Sequence, residues 1–135
     1  MKRLADLLFE ARMLKETPRS GFQFLGAGRE SLAEHVYSAT FIAYVMTQLV
    51  PGVDALKLIS LCLVHDLPEA RIGDLNSVNK NYVQADEPRA VADMVRGLPF
   101  GTQLQALIEE YRAGESREAR LARAAAQLSL ILELK

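Results

Sequence analysis

The chain has 135 residues, of which 50% are hydrophobic and 24% are charged, a composition typical of one globular domain with its own core. Its formal net charge of −1 argues against a protein that coats a nucleic acid polymer, because such binding needs a basic excess. The apolar runs fall short of the ~20 residues that cross a bilayer, and the N-terminus lacks a secretory hydrophobic region. We therefore predict a single cytoplasmic domain over residues 1–135, without a membrane partner.

Glycine and proline divide the chain into helical segments, and no segment shows the alternation that predicts a strand. Leucines at helical spacing predict a first helix that ends before Pro18, and a loop over residues 17–28 follows it. Ser31 and Glu34 form a capping-box pattern, which predicts the start of a second helix. Pro51 and Gly52 end that helix.

Asp54 is expected to cap a third helix, which Pro68 stops because the residue before a proline is disfavoured in the α region. The polar stretch 71–86 predicts a long loop or a short broken helix. Helices are then expected over residues 86–97, 102–112 and 116–135, the last with Leu121, Ala125, Leu128 and Leu132 on one face. This last helix reaches the end of the chain without a cap, which suggests a missing or disordered tail. The predicted fold class is an all-α bundle of about six helices.

Both histidines of the chain fall where a side chain should point inward. His35 lies on or beside the apolar stripe of the second helix, and His65 ends the third helix next to Asp66. Imidazole and carboxylate groups are ligands for a divalent transition metal, which can acidify a bound water. A lone histidine on an apolar face is more often a core residue, but Asp66 faces the negative end of the helix dipole and needs a partner. The metal is one candidate partner, and a salt bridge to Arg71 is the alternative.

Two further acids follow closely. Glu69 lies three residues beyond Asp66, where it could orient or deprotonate a water, or protonate a leaving group. Asp74 follows Gly73 in a turn, where it could accept a hydrogen bond from a sugar hydroxyl. Taken singly, Glu69 is more simply a helix-start acid and Asp74 a turn residue. Their clustering beside Asp66 favours a functional site.

Three segments of the chain together resemble a known family. They are Leu14-Lys-Glu-Thr-Pro-Arg19-Ser-Gly21-Phe22, Glu30-Ser-Leu-Ala-Glu-His35 and His65-Asp66-Leu-Pro-Glu69-Ala-Arg-Ile-Gly73-Asp74. They resemble the HD-domain metal-dependent phosphohydrolases, and within these the branch that includes the bacterial 5′-deoxynucleotidases. The resemblance runs from about residue 10 to residue 85, with a weaker echo over residues 115–121.

The resemblance implies an α-helical HD domain that holds one divalent metal through His35, His65 and Asp66. Proteins of this branch remove phosphate from deoxynucleoside 5′-monophosphates, usually as homodimers. Glu69 would match their catalytic acid, Asp74 the acid that contacts the sugar. Arg19 would match the arginine that binds phosphate, a role that suits a planar guanidinium. The ligand types leave the metal open among Co, Mn, Zn, Ni, Fe and Mg.

The family pattern breaks in the last helix. The resemblance implies a fourth metal ligand there, an aspartate in a context like Ala-Asp-Gln-Leu, but Ala126 stands at the matching position. Glu133 is seven residues further on, roughly 10 Å along the helix axis, and is too far to replace it. Three protein ligands and water can still hold a catalytic metal, so weaker metal binding and reduced turnover are expected. Natural divergence and a substitution made to trap a ligand are both open as the origin of Ala126.

Two functions of different classes therefore remain. The first is a phosphohydrolase that acts on nucleoside monophosphates, or an impaired form of one. The second is a non-catalytic HD-fold module that binds a nucleotide or a partner protein and has a degenerate metal site. The presence of Glu69, Asp74 and Arg19 favours the first function. Ala126 and the polar loop with its three asparagines keep the second one open.

Overall fold

Helices dominate the computed structural model, which describes residues 1–23, 25 and 28–134. Within these residues there are six helices of at least nine residues, one single α-turn and three short 3₁₀ segments. The α-helices are α1 (Lys2–Met13), α2 (Leu32–Leu49), α3 (Ala55–Val64), α4 (Glu69–Ile72), α5 (Glu87–Val95), α6 (Gly101–Ala113) and α7 (Arg117–Glu133). The predicted all-α fold is confirmed. Phe24, Gly26 and Ala27 of the predicted loop lie outside the described residues.

Side-chain caps explain where several helices begin. The carboxylate of Asp54 accepts a hydrogen bond from the backbone N–H of Lys57 at 3.1 Å, as the sequence predicts. Asp86 and Ser116 cap α5 and α7 in the same way, at 3.2 and 3.0 Å. Each cap satisfies a backbone N–H that the first turn of a helix leaves without a partner.

Residues 34–65 and 102–135 form one compact unit, whose core lies between α3 and α7. The fully buried side chains of this core are small or of medium size: Ala43, Leu58, Leu61, Cys62, Ala119, Ala122 and Ala125. The Cys62 thiol donates to the carbonyl oxygen of Ala122 at 3.8 Å, and burial raises the pKa of the thiol to about 12. Cys62 is therefore a structural residue and a poor nucleophile.

The buried face of α7 differs from the predicted one. Ala119, Ala122, Ala125 and Ser129 are buried, whereas Leu128 and Leu132 are 42% and 56% exposed. Alanine has almost no side chain beyond its Cβ, so an alanine face lets the backbone of α7 approach α3 closely. Of the predicted face, Ala125 is buried and Leu121 packs partly buried against the core, whereas the prediction was wrong for Leu128 and Leu132.

Residues 1–33 and 66–101 form the second unit. Its buried apolar residues are Leu14, Leu32, Leu67, Val91, Met94, Val95 and Leu98. The guanidinium of Arg3 donates to the carbonyl oxygens of Arg96 and Met94 at 2.8 and 2.7 Å, and so satisfies acceptors at the C-terminal end of α5. Among the described residues, no helix combines the length and the apolar character that a membrane span requires.

Candidate metal centre and acid–base residues

The two histidines face each other through their Nε2 atoms. His35 lies in α2 and is 2% exposed, and His65 directly follows α3. Their Nε2 atoms are 3.4 Å apart. The Nδ1 atom of His65 lies 2.6 Å from the carbonyl oxygen of Cys62. Because a carbonyl oxygen only accepts, Nδ1 carries a proton, which leaves Nε2 as the nitrogen that can bind a metal.

This spacing fits a shared cation. A metal ion with bonds of about 2.1 Å to two imidazole nitrogens at a tetrahedral angle holds those nitrogens about 3.4 Å apart. One ligand atom from each of His35, His65 and Asp66 lies within 4.8 Å of the other two. The carbonyl of Cys62 fixes the tautomer of His65, which is a common arrangement for a metal-binding histidine. The donor set therefore fits a divalent transition metal.

The alternative partner for Asp66 is engaged elsewhere. The guanidinium of Arg71 donates to both carboxylate oxygens of Glu10, at 3.1 and 2.5 Å. The hydrogen bonds to Glu10 raise the pKa of Arg71. This bidentate pair joins α4 to α1, so Arg71 has a structural role and does not neutralise Asp66.

Glu69 has a strongly perturbed carboxyl group. It begins α4, and its backbone N–H donates to the carbonyl oxygen of Asp66 at 3.0 Å. Burial, followed by the charges of Asp66, Asp74 and Glu87, raises the pKa of Glu69 to about 9, and Arg19 acts in the opposite direction. Its Oε2 atom is buried and has no hydrogen-bond partner among the described residues. A carboxyl group that keeps its proton at neutral pH can act as a general acid.

Asp74 is more than a turn residue. Gly73 before it has a φ of +74°, a conformation that favours glycine. This turn directs the Asp74 carboxylate towards the segment after α1, where its Oδ2 atom accepts a hydrogen bond from the backbone N–H of Ser20 at 2.8 Å. Asp74 therefore holds the segment that carries Arg19 close to the end of α4.

Arg19 is paired with a buried acid that the sequence did not single out. Its guanidinium lies 3.2 Å from Oε1 of Glu30, whose side chain is 3% exposed. The backbone N–H of Arg19 also donates to the carbonyl oxygen of Glu30 at 2.9 Å. Glu30 precedes Ser31, the predicted cap of α2, and nothing in the local sequence pattern indicates that the side chain of Glu30 is buried.

A cavity of about 310 Å³ lies beside these acids. Its polar lining comes from Glu69, Asp74, Lys80, Gln84 and Glu87. Residues 71–86 were expected to form a polar connection, and Glu87 to lie in the first turn of the next helix, so Lys80, Gln84 and Glu87 were not identified as residues that line a cavity. Polarity alone does not tell a solvated loop from the wall of a cavity, because both are rich in hydrogen-bonding side chains.

Ala126 lies half-buried in α7. Within the described residues, the group formed by His35, His65 and Asp66 has no fourth member with a histidine, cysteine or carboxylate side chain. The methyl group of Ala126 offers no ligand atom. The residues present thus offer three candidate ligands for a divalent metal.

Comparison with known sequences adds an independent line of evidence. A family model described as HD domain matches residues 11–135. The 5′-deoxynucleotidase HDDC2 of Homo sapiens is 29% identical over 126 residues, which cover 89% of this chain and 61% of the human protein. The same-named protein of Bos taurus is 28% identical over 138 residues, covering 98% of this chain and 66% of the bovine one. The chain thus spans about three fifths of the length of its human relative.

Solved structures agree with the sequence comparison. A conserved hypothetical protein from Pyrococcus furiosus superimposes with a TM-score of 0.81 at 30% identity, covering 96% of this chain and 79% of the other. A protein named "Predicted metal-dependent phosphohydrolase" from Magnetospirillum magnetotacticum MS-1 gives a TM-score of 0.79 at 26% identity, covering 98% of this chain and 69% of the other.

Proposed function

The chain belongs to the HD domain family, and from this premise we propose that it is a metal-dependent phosphohydrolase acting on nucleoside 5′-monophosphates. The observation that carries the proposal is the pair of Nε2 atoms 3.4 Å apart, grouped with a carboxylate of Asp66. The 5′-deoxynucleotidase relatives support a deoxynucleotide as the substrate, and the family resemblance of the sequence implies a homodimer. The family match covers nearly the whole chain, which supports one functional domain over residues 1–135.

His35, His65 and Asp66 would hold the metal. A divalent cation bound there would supply charge to polarise the phosphoryl oxygen and to lower the pKa of water. Ligand type alone does not choose among Co, Mn, Zn, Ni, Fe and Mg. The absence of a fourth carboxylate leaves the site with less negative charge, so the proposal includes weak metal binding and reduced turnover.

The other residues act on the substrate. Glu69 keeps a proton at neutral pH, and we assign to it the transfer of that proton to the leaving sugar oxygen. Arg19 is assigned to binding the phosphate, because its planar guanidinium can donate to phosphate oxygens. Asp74 uses one carboxylate oxygen for Ser20, and the other is assigned to a sugar hydroxyl.

The direct test measures metal content and phosphate release on the same preparation. The purified protein is analysed for bound metal and then incubated with a panel of ribo- and deoxyribonucleoside 5′-monophosphates, with added cobalt or manganese. We expect phosphate release that depends on added metal and is greatest for a deoxynucleotide. A metal-loaded protein that releases no phosphate from any monophosphate would contradict the proposal.

The replacement Ala126→Asp tests the missing ligand. We expect at least about a tenfold gain in metal affinity and a parallel gain in turnover, because a carboxylate adds both a ligand atom and a negative charge. Metal affinity is measured by competition with a chelator, and turnover by phosphate release. Ala124→Asp is the matched control, because Ala124 is an exposed residue of the same helix. A gain of similar size in the control would show a general effect of charge rather than a restored ligand.

Ala126 also supports a second candidate function. A chain that has lost a metal ligand could serve as a non-catalytic HD-fold module that binds a nucleotide or a partner protein. This function predicts that Ala126→Asp changes neither metal occupancy nor turnover, while a nucleotide still binds. Isothermal titration of the unmodified protein with a nucleoside 5′-monophosphate provides that binding measurement.

The pair formed by Arg19 and Glu30 predicts how the substrate is held. We expect Glu30→Gln to raise KM about tenfold with a smaller change in kcat, because the arginine loses the charge that fixes its direction. Initial rates over a range of substrate concentrations separate the two constants. Glu10→Gln is the control, since it weakens the other arginine–glutamate pair of the same unit. An equal rise of KM in both variants would indicate general destabilisation, which thermal melting would reveal.

A further inference from the structure

Tyr111, a half-buried residue of α6, packs its ring against the imidazole of His65. The two ring centroids are 4.7 Å apart and the ring planes meet at 37°, within the roughly 4.5–7 Å at which aromatic rings attract each other. Both residues belong to the unit of residues 34–65 and 102–135. The hydrogen bond to the Cys62 carbonyl fixes one nitrogen of the imidazole, and the ring of Tyr111 limits how far the imidazole can tilt about that bond.

The tilt of this imidazole matters because its nitrogen binds a metal through a lone pair that lies in the ring plane. A tilt would turn Nε2 of His65 away from Nε2 of His35, which is 3.4 Å from it. Groups that orient a metal ligand without touching the metal typically change the affinity by about 10–100-fold when they are removed. The Cys62 carbonyl is one such group, and the ring of Tyr111 is placed to be a second.

The guanidinium of Arg123 in turn lies over the ring of Tyr111. Its central carbon is 5.7 Å from the ring centroid, within the roughly 6 Å of a cation–π contact. Its Nε atom donates to the carbonyl oxygen of Tyr111 at 3.1 Å, and its Nη2 atom donates to that of Arg112. Both carbonyls belong to the last turn of α6, where the helix itself supplies no donor. Arg123 thus contacts both the backbone and the ring of Tyr111.

Gly114, which follows α6, leaves the space that this guanidinium occupies. It has a φ of +64°, a conformation that favours glycine at the end of a helix. A Cβ atom added here would lie 2.6 Å from the central carbon of the Arg123 guanidinium, well inside the usual contact distance of about 3.5–4.0 Å between carbon atoms. The contacts that begin at Gly114 therefore continue through Arg123 and end at the ring that packs against His65.

We propose that Tyr111 is a positioning residue for the metal centre: its ring holds the imidazole of His65 in the orientation that binds a cation, and Arg123 holds that ring. The role of Tyr111 in metal binding rests on the proposed function. Its hold on the imidazole exists in the metal-free protein as well and is measured there separately.

The first measurement is the tautomer of His65 in the metal-free protein, read from long-range ¹H–¹⁵N NMR spectra at pH 8 with a chelator present. The unmodified protein is expected to show the form with the proton on Nδ1, because the Cys62 carbonyl accepts that proton. Tyr111→Leu is expected to give a mixture of both tautomers, because the imidazole can then leave this hydrogen bond. Tyr111→Phe keeps the aromatic ring and is expected to keep the single tautomer.

The second measurement is the affinity for cobalt, determined by competition with a chelator. We expect Tyr111→Leu to weaken cobalt binding by about 10–100-fold, and Tyr111→Phe to bind cobalt as tightly as the unmodified protein. Tyr111 also packs against the core between α3 and α7. Thermal melting of the metal-free variants therefore separates a loss of stability from the effect on the imidazole.

Gly114→Ala displaces Arg123 without changing Tyr111, and so provides a second variant in case Tyr111→Leu does not fold. It is expected to give the same mixture of tautomers and weaker cobalt binding, to a smaller extent. Gly52→Ala is the matched control, because Gly52 also has a positive φ, of +76°. A Cβ atom at Gly52 would lie 3.6 Å from the side chain of Arg117, an ordinary contact distance. Both replacements thus strain the backbone, but only the first displaces Arg123.

A mixture of tautomers in the unmodified protein, or a single tautomer in both Tyr111→Leu and Gly114→Ala, would overturn the proposal. An equal effect in Tyr111→Phe or in the Gly52→Ala control would do the same, as would unchanged cobalt affinity in a Tyr111→Leu protein that shows both tautomers.

An unmodified protein that binds no cobalt, while its tautomer changes only in Tyr111→Leu and Gly114→Ala, would support the hold of Tyr111 on His65 and contradict the phosphohydrolase. Cobalt-dependent phosphate release with a single tautomer in both variants would do the reverse. The two proposals therefore fail separately.

Discussion

Asp66→Asn is expected to reduce phosphate release by on the order of 10³-fold and metal affinity by at least about 100-fold. Asparagine has nearly the same size as aspartate, so the backbone after α3 keeps its course. The change removes the only negative charge in the group formed with His35 and His65. Within this group, the variant would offer a cation only uncharged ligand atoms.

The measurements are metal content after dialysis and the rate of phosphate release at saturating substrate. Asp93→Asn is the control, since Asp93 pairs with Arg96 on the surface of α5 at 2.7 Å, and surface ion pairs contribute little. We expect this control to keep both metal and activity. Full metal content in Asp66→Asn would remove Asp66 from the proposed ligands, and full activity without metal would remove the metal from the reaction.

Glu69→Gln is expected to lower phosphate release by about 10²–10⁴-fold while the bound metal is retained. Glutamine keeps the shape of the side chain but has no acidic proton to give to a leaving group. Glu69 is not one of the three residues whose ligand atoms cluster, so metal content should not change. Glu109→Gln, at an exposed position of α6, is the control for a general effect of losing one carboxylate.

The same variant has an expected effect on stability in the metal-free protein. The pKa of Glu69 rises from an ordinary value of 4.5 to about 9, with burial as the largest cause. Between these values the folded protein holds a proton that the unfolded chain has released, so stability falls as the pH rises through this window. The slope is at most about 1.4 kcal/mol per pH unit. Above a pH of about 9, both the folded and the unfolded protein have lost this proton, so Glu69 no longer changes the stability as the pH rises.

Glu69→Gln removes the dependence of stability on pH that arises from this carboxyl group. Near pH 8, the variant is expected to be more stable than the unmodified protein by roughly 1–3 kcal/mol, with a smaller difference near pH 5. Urea unfolding in the presence of a chelator, repeated at both pH values, measures the difference. If the two proteins have the same dependence on pH, the buried carboxyl group of Glu69 does not titrate as its surroundings indicate.

Local signals in the sequence were sufficient for the helices and for the family. Asp54, Asp86 and Ser116 each accept the backbone hydrogen bond that a cap requires, because capping depends on residues only three positions apart. The HD resemblance is confirmed by the family match over residues 11–135. The structure brings His35, His65 and Asp66 together; their role as metal ligands stays a prediction.

Features that depend on contacts between residues far apart in the chain could not be predicted from the sequence. The pairing of Arg19 with Glu30 spans eleven residues, and the bond from Ser20 to Asp74 spans fifty-four. Neither leaves a periodic trace in the sequence. Leu128 and Leu132 were wrongly placed on the buried face of α7 for a related reason, since burial there is decided by how closely α3 approaches. A helix pattern shows which residues share a side, but the neighbouring helix determines which side is covered.

The hydrogen bond between His65 and the Cys62 carbonyl connects the proposed metal centre to the core between α3 and α7. The imidazole takes its orientation from the last turn of α3, and α3 takes its position from the alanine side of α7, where the Cys62 thiol meets the Ala122 carbonyl. Adding or removing a methyl group between α3 and α7 would therefore shift the position of Nε2 of His65. The proposed affinity for a cation would therefore depend on how closely α3 and α7 pack.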